Sequence, residues 1–242
     1  YNPLIIERGE SVEERVKTIE EFWNSGKLNI NSNVQFGEGG AGTFSDGKLK
    51  TLVKDREFIG KKVFEIFVEN GAPKEIMYLN KPHIGTDNLV KIVKNIREYI
   101  ISRGGEYYFD TKFLDFNKKD NVIEVICEDK KFETDSLVLA IGHSARDTFK
   151  MLKSKDVVMN RKNFSVGVRI EHKQSMINES QYGSFTKINL PAAEYKLAYH
   201  GDDRSCYTFC MCPGGEVVAS SSEEGAIVTN GMSVFKRDKE NA

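Results

Sequence analysis

"LIIERG", residues 4–9, is an apolar run closed by an acidic residue and a turn. Leu4, Ile5 and Ile6 follow one another without a polar break, and Glu7, Arg8 and Gly9 come next. The second strand of a Rossmann-type unit ends this way, with its carboxylate placed for the ribose hydroxyls of a dinucleotide. An ordinary strand that ends on a surface glutamate has the same look. A G-x-G-x-x-G fingerprint belongs about 20 residues ahead of such an acid. Only six residues precede Glu7, so either the chain is the interior of a longer one or the reading is wrong.

Working outward, Ser11-Val12-Glu13-Glu14 has the form of a capping box. It predicts a helix to about Trp23, with Val12, Val16, Ile19 and Trp23 at helical spacing and Gly26 as its stop. Then comes "NVQFGEGGAGTFSDGKL", residues 33–49, with Gly37, Gly39, Gly40, Gly42 and Gly47. Glycine inside an ordered segment costs roughly 0.5–1 kcal/mol relative to alanine. A run this rich is therefore either a loose loop or a backbone that must approach something closely.

Further on, the spacing predicts a helix over 55–69 that stops at Asn70-Gly71, and a short one with Pro73 in its first turn. A strongly amphipathic helix, capped by Thr86-Asp87, buries Leu89, Val90, Ile92, Val93, Ile96, Ile100 and Ile101 and closes at Gly104-Gly105. From Glu106 the period changes to two. "EYYFDTKFLDF", "VIEVICED" and "KKFETDSLVLAIG" read as three strands of a meander. The apolar run Leu137 to Ile141 does not alternate, as expected of a strand buried on both faces. "SVGVRIEH", "AEYKLAYH", "SCYTFCMC", "EVVASSS" and "AIVTNGMS" predict a second, mostly antiparallel set.

Composition excludes some classes. The 242 residues carry 35 basic and 36 acidic side chains, a net charge of −1, so there is no basic stripe for nucleic acid or an anionic membrane surface. No apolar run approaches the roughly 20 residues of a membrane helix. The four cysteines, Cys127, Cys206, Cys210 and Cys212, do not make a disulfide scaffold, and the expectation is a reducing cytoplasm. Cys206, Cys210 and Cys212 lack the two separated pairs of a zinc site, so no metal is expected; buried thiols and a redox thiol both remain open. His83, His143, His172 and His200 sit in no pattern that identifies a catalytic role.

The order of elements resembles the FAD-binding domain of two-domain flavoprotein oxidoreductases of the glutathione-reductase type. "NVQFGEGGAGTFSDGKL", "KPHIGTDNL", "LAIGHSARDTF", "GVRIEH", "LPAAEYKLAYH" and "YTFCMCPGGEVVASSSEEGAIVTNGMS" are together similar to a bacterial family of FAD-dependent dehydrogenases, from Leu4 to Arg237. The resemblance implies an α/β chain. Residues 1–152 would be a partial Rossmann-like FAD-binding domain with an antiparallel meander, and residues 153–242 part of a mostly antiparallel substrate domain.

It also implies roles. Glu7 would hold the adenosine ribose. Gly39 and Gly40 would match the doublet whose bare backbone reaches the pyrophosphate, with Gly37, Gly42 and Ser45 as further cofactor-binding candidates of the same segment. Where the family pattern has flanking arginines this chain has Gly37 and Ala41, which leaves Arg8 or Lys48 to meet phosphate charge. Ala140 and Gly142 would pass the adenine-ribose side, and the Pro213-Gly214-Gly215 turn would come near the ring. The implied function is transfer of hydride or electrons between FAD and a small organic substrate, with NAD(P)H as a visiting donor. No nucleic acid or membrane partner is implied. By the same reading, the fragment alone is expected to bind FAD weakly or not at all. A non-catalytic binding or structural module, and a flavin-independent nucleotide enzyme, are the other readings of the same residues.

Overall fold

The computed structural model describes residues 2–49, 55–184, 189–209 and 211–241. They fall into two compact units. The first comprises Tyr1–Gly40, Arg97–Gly167 and Ser220–Ile227; the second comprises Ala41–Ile96, Val168–Ala219 and Val228–Ala242. Each therefore draws residues from both sides of position 152. The chain mixes helices with small, mainly antiparallel sheets.

In the first unit the short strand β1 (Leu4–Ile6) pairs in parallel with β2 (Glu106–Tyr108). This is the only parallel ladder among the described residues. The pairing continues past the strand ends, since the Glu7 amide donates to the Tyr108 carbonyl (2.9 Å) and the Asp110 amide to the Gly9 carbonyl (3.0 Å). Helix α1 (Val12–Ser25) has Ser11 at its N-cap and Gly26, in the left-handed region at φ +77°, at its C-cap, as expected. The capping box does not form, because Ser11 makes no side-chain cap bond. The Val12 amide is taken instead by Glu38 Oε2 at 2.8 Å. A carboxylate at a helix N-terminus serves the same exposed donors and the same dipole.

"EYYFDTKFLDF" is two strands. Asp110, at φ +48°, breaks the run, as aspartate can because its short side chain tolerates that region. β2 then serves β1, while β3 (Phe113–Lys119), β4 (Val122–Cys127) and β5 (Lys131–Thr134) form the antiparallel meander. β5 ends at Thr134. Leu137 to Ile141 form no strand, and Val138 is 85% exposed, against the buried strand read from the sequence. A strand forms only where a neighbouring strand supplies a ladder, and among the described residues no ladder takes up this run. Helix α4 (Arg146–Ser154), which the sequence reading missed, follows.

In the second unit α2 (Ile59–Glu69) begins four residues later than expected, behind Phe58 at φ +56°. Pro73 stands before the 3-10 turn Lys74–Met77 and not within it. The core gathers Ala72, Ile76, Ile84 and Ile92, with Phe64, Phe67, Leu89 and Ile96 packed on it. The division between units falls within α3 (Thr86–Ser102), whose predicted apolar stripe is only partly buried: Ile92 is inside and Ile101 exposed. Helix α5 (Gln174–Tyr182), a hairpin of β6 (Ala198–His200) with β7 (Ser205–Tyr207), and one of β8 (Glu216–Ala219) with β9 (Thr229–Met232) complete it.

Residues 165–172 form no strand despite their alternation. In the first unit Phe164 is 88% and Val166 91% exposed; in the second Val168 and Ile170 are also exposed. Among the described residues no helix is long and apolar enough to cross a membrane.

Candidate functional site

In the first unit the end of β1 aims Glu7 at the glycine segment. Glu7 Oε1 accepts the amides of Gly9 (3.0 Å) and Gly37 (3.1 Å). Oε2 accepts no hydrogen bond from the described residues. A half-buried carboxylate with one oxygen tied to backbone and the other without a hydrogen bond from the described residues has the acceptor capacity to hold a vicinal diol, which offers two O–H donors. Gly37 lies at φ +114°, Gly39 at +84° and Gly40 at +62°. A Cβ on Gly40 would meet nothing within 4 Å, so its side faces open space. Gly142, at φ +66°, is likewise open and exposed, and Ala140 before it is exposed.

Arg8 is engaged elsewhere. Its NH2 group donates to both oxygens of Asp147 (2.9 and 2.8 Å), and its guanidinium lies 4.3 Å from the centre of the Phe36 ring. Lys112 joins Asp147 at 2.8 Å. Partial burial pushes the Asp147 carboxyl up, but hydrogen bonds from Lys112 and Arg8 outweigh it and hold the pKa at about 2.

A folded-state pKa below the unfolded value stabilises the protein above pH about 4, and that contribution is lost as the pH falls towards 2. The side chain is 42% exposed, so solvent screening reduces the effect to about 1 kcal/mol. Unfolding free energies from urea curves measured from pH 5 to pH 2 should fall by at least this amount, and Asp147→Asn should remove that part of the slope. A slope unchanged in the variant would show that the pair is inert.

Two further loops meet here. Gln35 Nε2 donates to the Ser220 carbonyl at 3.2 Å, Ser144 Oγ donates to Gln35 Oε1 at 3.3 Å, and Arg146 pairs with Glu223 at 2.9 Å. Ser220 is fully buried, with its hydroxyl unpartnered among the described residues. With its proton given to Gln35, the Ser144 hydroxyl accepts from His143 Nδ1 at 3.1 Å.

In the second unit the remaining candidates surround a buried ion pair that sequence reasoning missed. Asp46, with its side chain 4% exposed, receives Arg237 NH2 at 2.7 Å, Arg237 Nε at 3.3 Å, Lys48 at 3.2 Å and the Ser233 hydroxyl. Burial pushes the Asp46 carboxyl up, but Ser233, Arg237 and Lys48 together bring it below its usual value. Lys48 also donates to the Met211 carbonyl. The Pro213-Gly214-Gly215 turn follows directly and is buried against Arg237, whose carbonyl oxygen would lie 1.9 Å from a Cβ on Gly214. The Gly214 amide donates to Gln174 Oε1 at 2.9 Å.

Ser45 Oγ donates to the Gly42 carbonyl at 2.7 Å, and Gly42 itself is exposed. His83 donates to the Phe235 carbonyl at 2.9 Å; burial and the Arg237 charge hold its pKa below the usual value. Thus Lys48 and the Pro213 turn meet through Arg237, while Ser45 closes a local turn. Cys206 is exposed, Cys212 is buried, and Cys210 lies outside the described residues. Among the described residues no three His, Cys, Asp or Glu side chains gather as a metal site.

The signal for Asp147 or Asp46 was faint, because their arginine partners lie 139 and 191 residues away. Arg15 was findable: it shares the buried stripe of α1 with Val12 and Ile19, where an arginine needs partners.

Residues 163–242 match the family described as "FAD-dependent protein, C-terminal domain-like". Over 246 aligned residues the chain is 50% identical to a Clostridium beijerinckii protein described as uncharacterized, with 100% of this chain and 46% of that protein covered. The chain therefore spans about half the length of the relative it matches. The family match supports an FAD-dependent family and a flavoprotein-related role.

Proposed function

We propose that this chain is part of an FAD-dependent oxidoreductase that moves hydride or electrons between its flavin and a small organic substrate. The observation that carries the reading is Glu7: a strand-end carboxylate with Oε1 fixed by two glycine amides and Oε2 without a hydrogen bond from the described residues. The FAD-dependent family matched over 163–242 supports the choice of cofactor. That match names FAD alone and lends nothing to NAD(P)H.

The residues fit the adenosine half of FAD. Glu7 Oε2 would take a ribose hydroxyl, and the open sides of Gly40 and Gly142 leave room for the cofactor to pass. They fit the pyrophosphate less fully. Arg8 is bound to Asp147, and Lys48 to Asp46 and Met211; phosphate charge is then met by backbone amides or by groups beyond this chain. When bound, the flavin supplies the redox chemistry at its ring, and the protein binds and orients it.

The full-length protein should purify yellow. Glu7→Ala should weaken its FAD binding tenfold or more, since a charge-assisted hydrogen bond contributes about 1.5–3 kcal/mol and each decade of affinity is about 1.4 kcal/mol. A colourless protein whose spectrum is unaffected by added FAD, or an unchanged dissociation constant in the variant, would overturn the reading.

A further inference from the structure

Arg15 is 0% exposed, on the inner stripe of α1. Its guanidinium donates through Nε to the Asn33 carbonyl (2.9 Å), through NH2 to Val34 (3.0 Å) and through NH1 to Glu38 (2.6 Å). These three carbonyls lie on one turn, the entry to the glycine segment. Burial lowers the pKa of Arg15 to about 10, against the opposing charges of Glu7, Glu38 and Glu10, so it stays charged at neutral pH.

Gly37 lies against it. A Cβ there would stand 2.4 Å from Arg15 Cδ and 2.8 Å from Nε. Gly9 in turn lies against Gly37, with its own Cβ position 2.7 Å from the Gly37 Cα. Turn and strand end are thus stacked with no side chain between them, and the Arg15 side chain joins the helix to both. The amides of the two stacked glycines are the two that hold Glu7 Oε1.

We propose that Arg15 is a positioning residue for the cofactor carboxylate: its fork fixes the 33–38 turn, and through the Gly37 amide it holds Glu7 by Oε1 and leaves Oε2 to the ligand. The inference rests on the reading of Glu7 as the ribose ligand. An arginine suits this place because its rigid planar fork spreads donors over three separated carbonyls, whereas the three donors of a lysine ammonium radiate from one nitrogen.

The test is a double-mutant cycle on FAD affinity in the full-length protein, with far-UV circular dichroism and ligand-free melting as the check on folding. Arg15→Lys should weaken FAD binding tenfold or more. The double variant of Arg15→Lys with Glu7→Ala should bind within twofold of Glu7→Ala alone, because both act through one carboxylate; a merely structural role predicts losses that multiply. Should Arg15→Lys fail to fold, Gly37→Ala displaces the same guanidinium and enters the same cycle. Wild-type affinity in the Arg15 or Gly37 variant, or multiplicative losses, overturns the inference while Glu7 keeps its role. Unchanged affinity in Glu7→Ala overturns the ribose reading and this inference with it.

Discussion

Gly214→Ala is expected to destabilise the second unit by roughly 3–5 kcal/mol, among the largest effects of any single methyl group in this chain. Two penalties add. Gly214 sits at φ +57°, where a Cβ clashes with its own backbone at about 1–2 kcal/mol. The new atom would also stand 1.9 Å from the Arg237 carbonyl oxygen and 2.2 Å from its carbon. Those are backbone atoms and cannot swing aside. The turn is pinned as well, by its amide on Gln174 at 2.9 Å and by its carbonyl, which accepts the Lys239 amide at 3.2 Å. Relief of the overlap therefore has to break one of these bonds.

Gly40→Ala is the control. It has a similar backbone angle, φ +62°, but nothing within 4 Å of its Cβ, so only the backbone penalty of about 1–2 kcal/mol applies. Urea unfolding of both variants decides the matter. Equal midpoints would mean that the contact with Arg237 is not made in solution.

The same comparison shows what the sequence can and cannot carry. Local features were legible. Ser11 and Gly26 bound α1, and Lys119 turns to Val122 through Asp120 at φ +52°. Each is decided by a few adjacent residues. Leu137 to Ile141 and 165–172 were misread for one reason: a period-two or all-apolar pattern states which face wants burial, whereas a strand forms only where a neighbour supplies the ladder. Those neighbours are not among the described residues, and Val138, Phe164 and Val166 stand exposed.

The candidate site divides in the same way. The place of Glu7 at a strand end was legible because an apolar run closed by an acid is a local signature. Glycine positions were legible, but not their purposes. Gly37 is empty for the sake of Arg15, and Gly214 for the sake of Arg237. Both partners are far off or hidden in a helical stripe.

Asp46→Ala should destabilise the second unit by about 3 kcal/mol or more, through what it leaves behind. Asp46 stands between two cations, Arg237 at 19% and Lys48 at 25% side-chain exposure. Removing one member of a buried pair strands an uncompensated charge, typically at 3–5 kcal/mol; the partial exposure of both cations puts the expected value at the lower end. The Ser233 hydroxyl loses its acceptor too. If stranded charge is the cause, removing charge should help. Arg237→Met combined with Asp46→Ala should then recover part of the loss, whereas independent packing defects would add.

The pH dependence has a definite sign. The folded-state pKa of Asp46 lies below its ordinary value, so its stabilisation is present above pH about 4 and is lost as the pH falls below that. Wild type should therefore lose stability on acidification while Asp46→Ala loses less, and the two should converge. Denaturation curves at pH 7 and pH 3 test both statements. A double variant less stable than Asp46→Ala, or a gap that stays constant down to pH 3, would show that Asp46 fills space and does not balance charge.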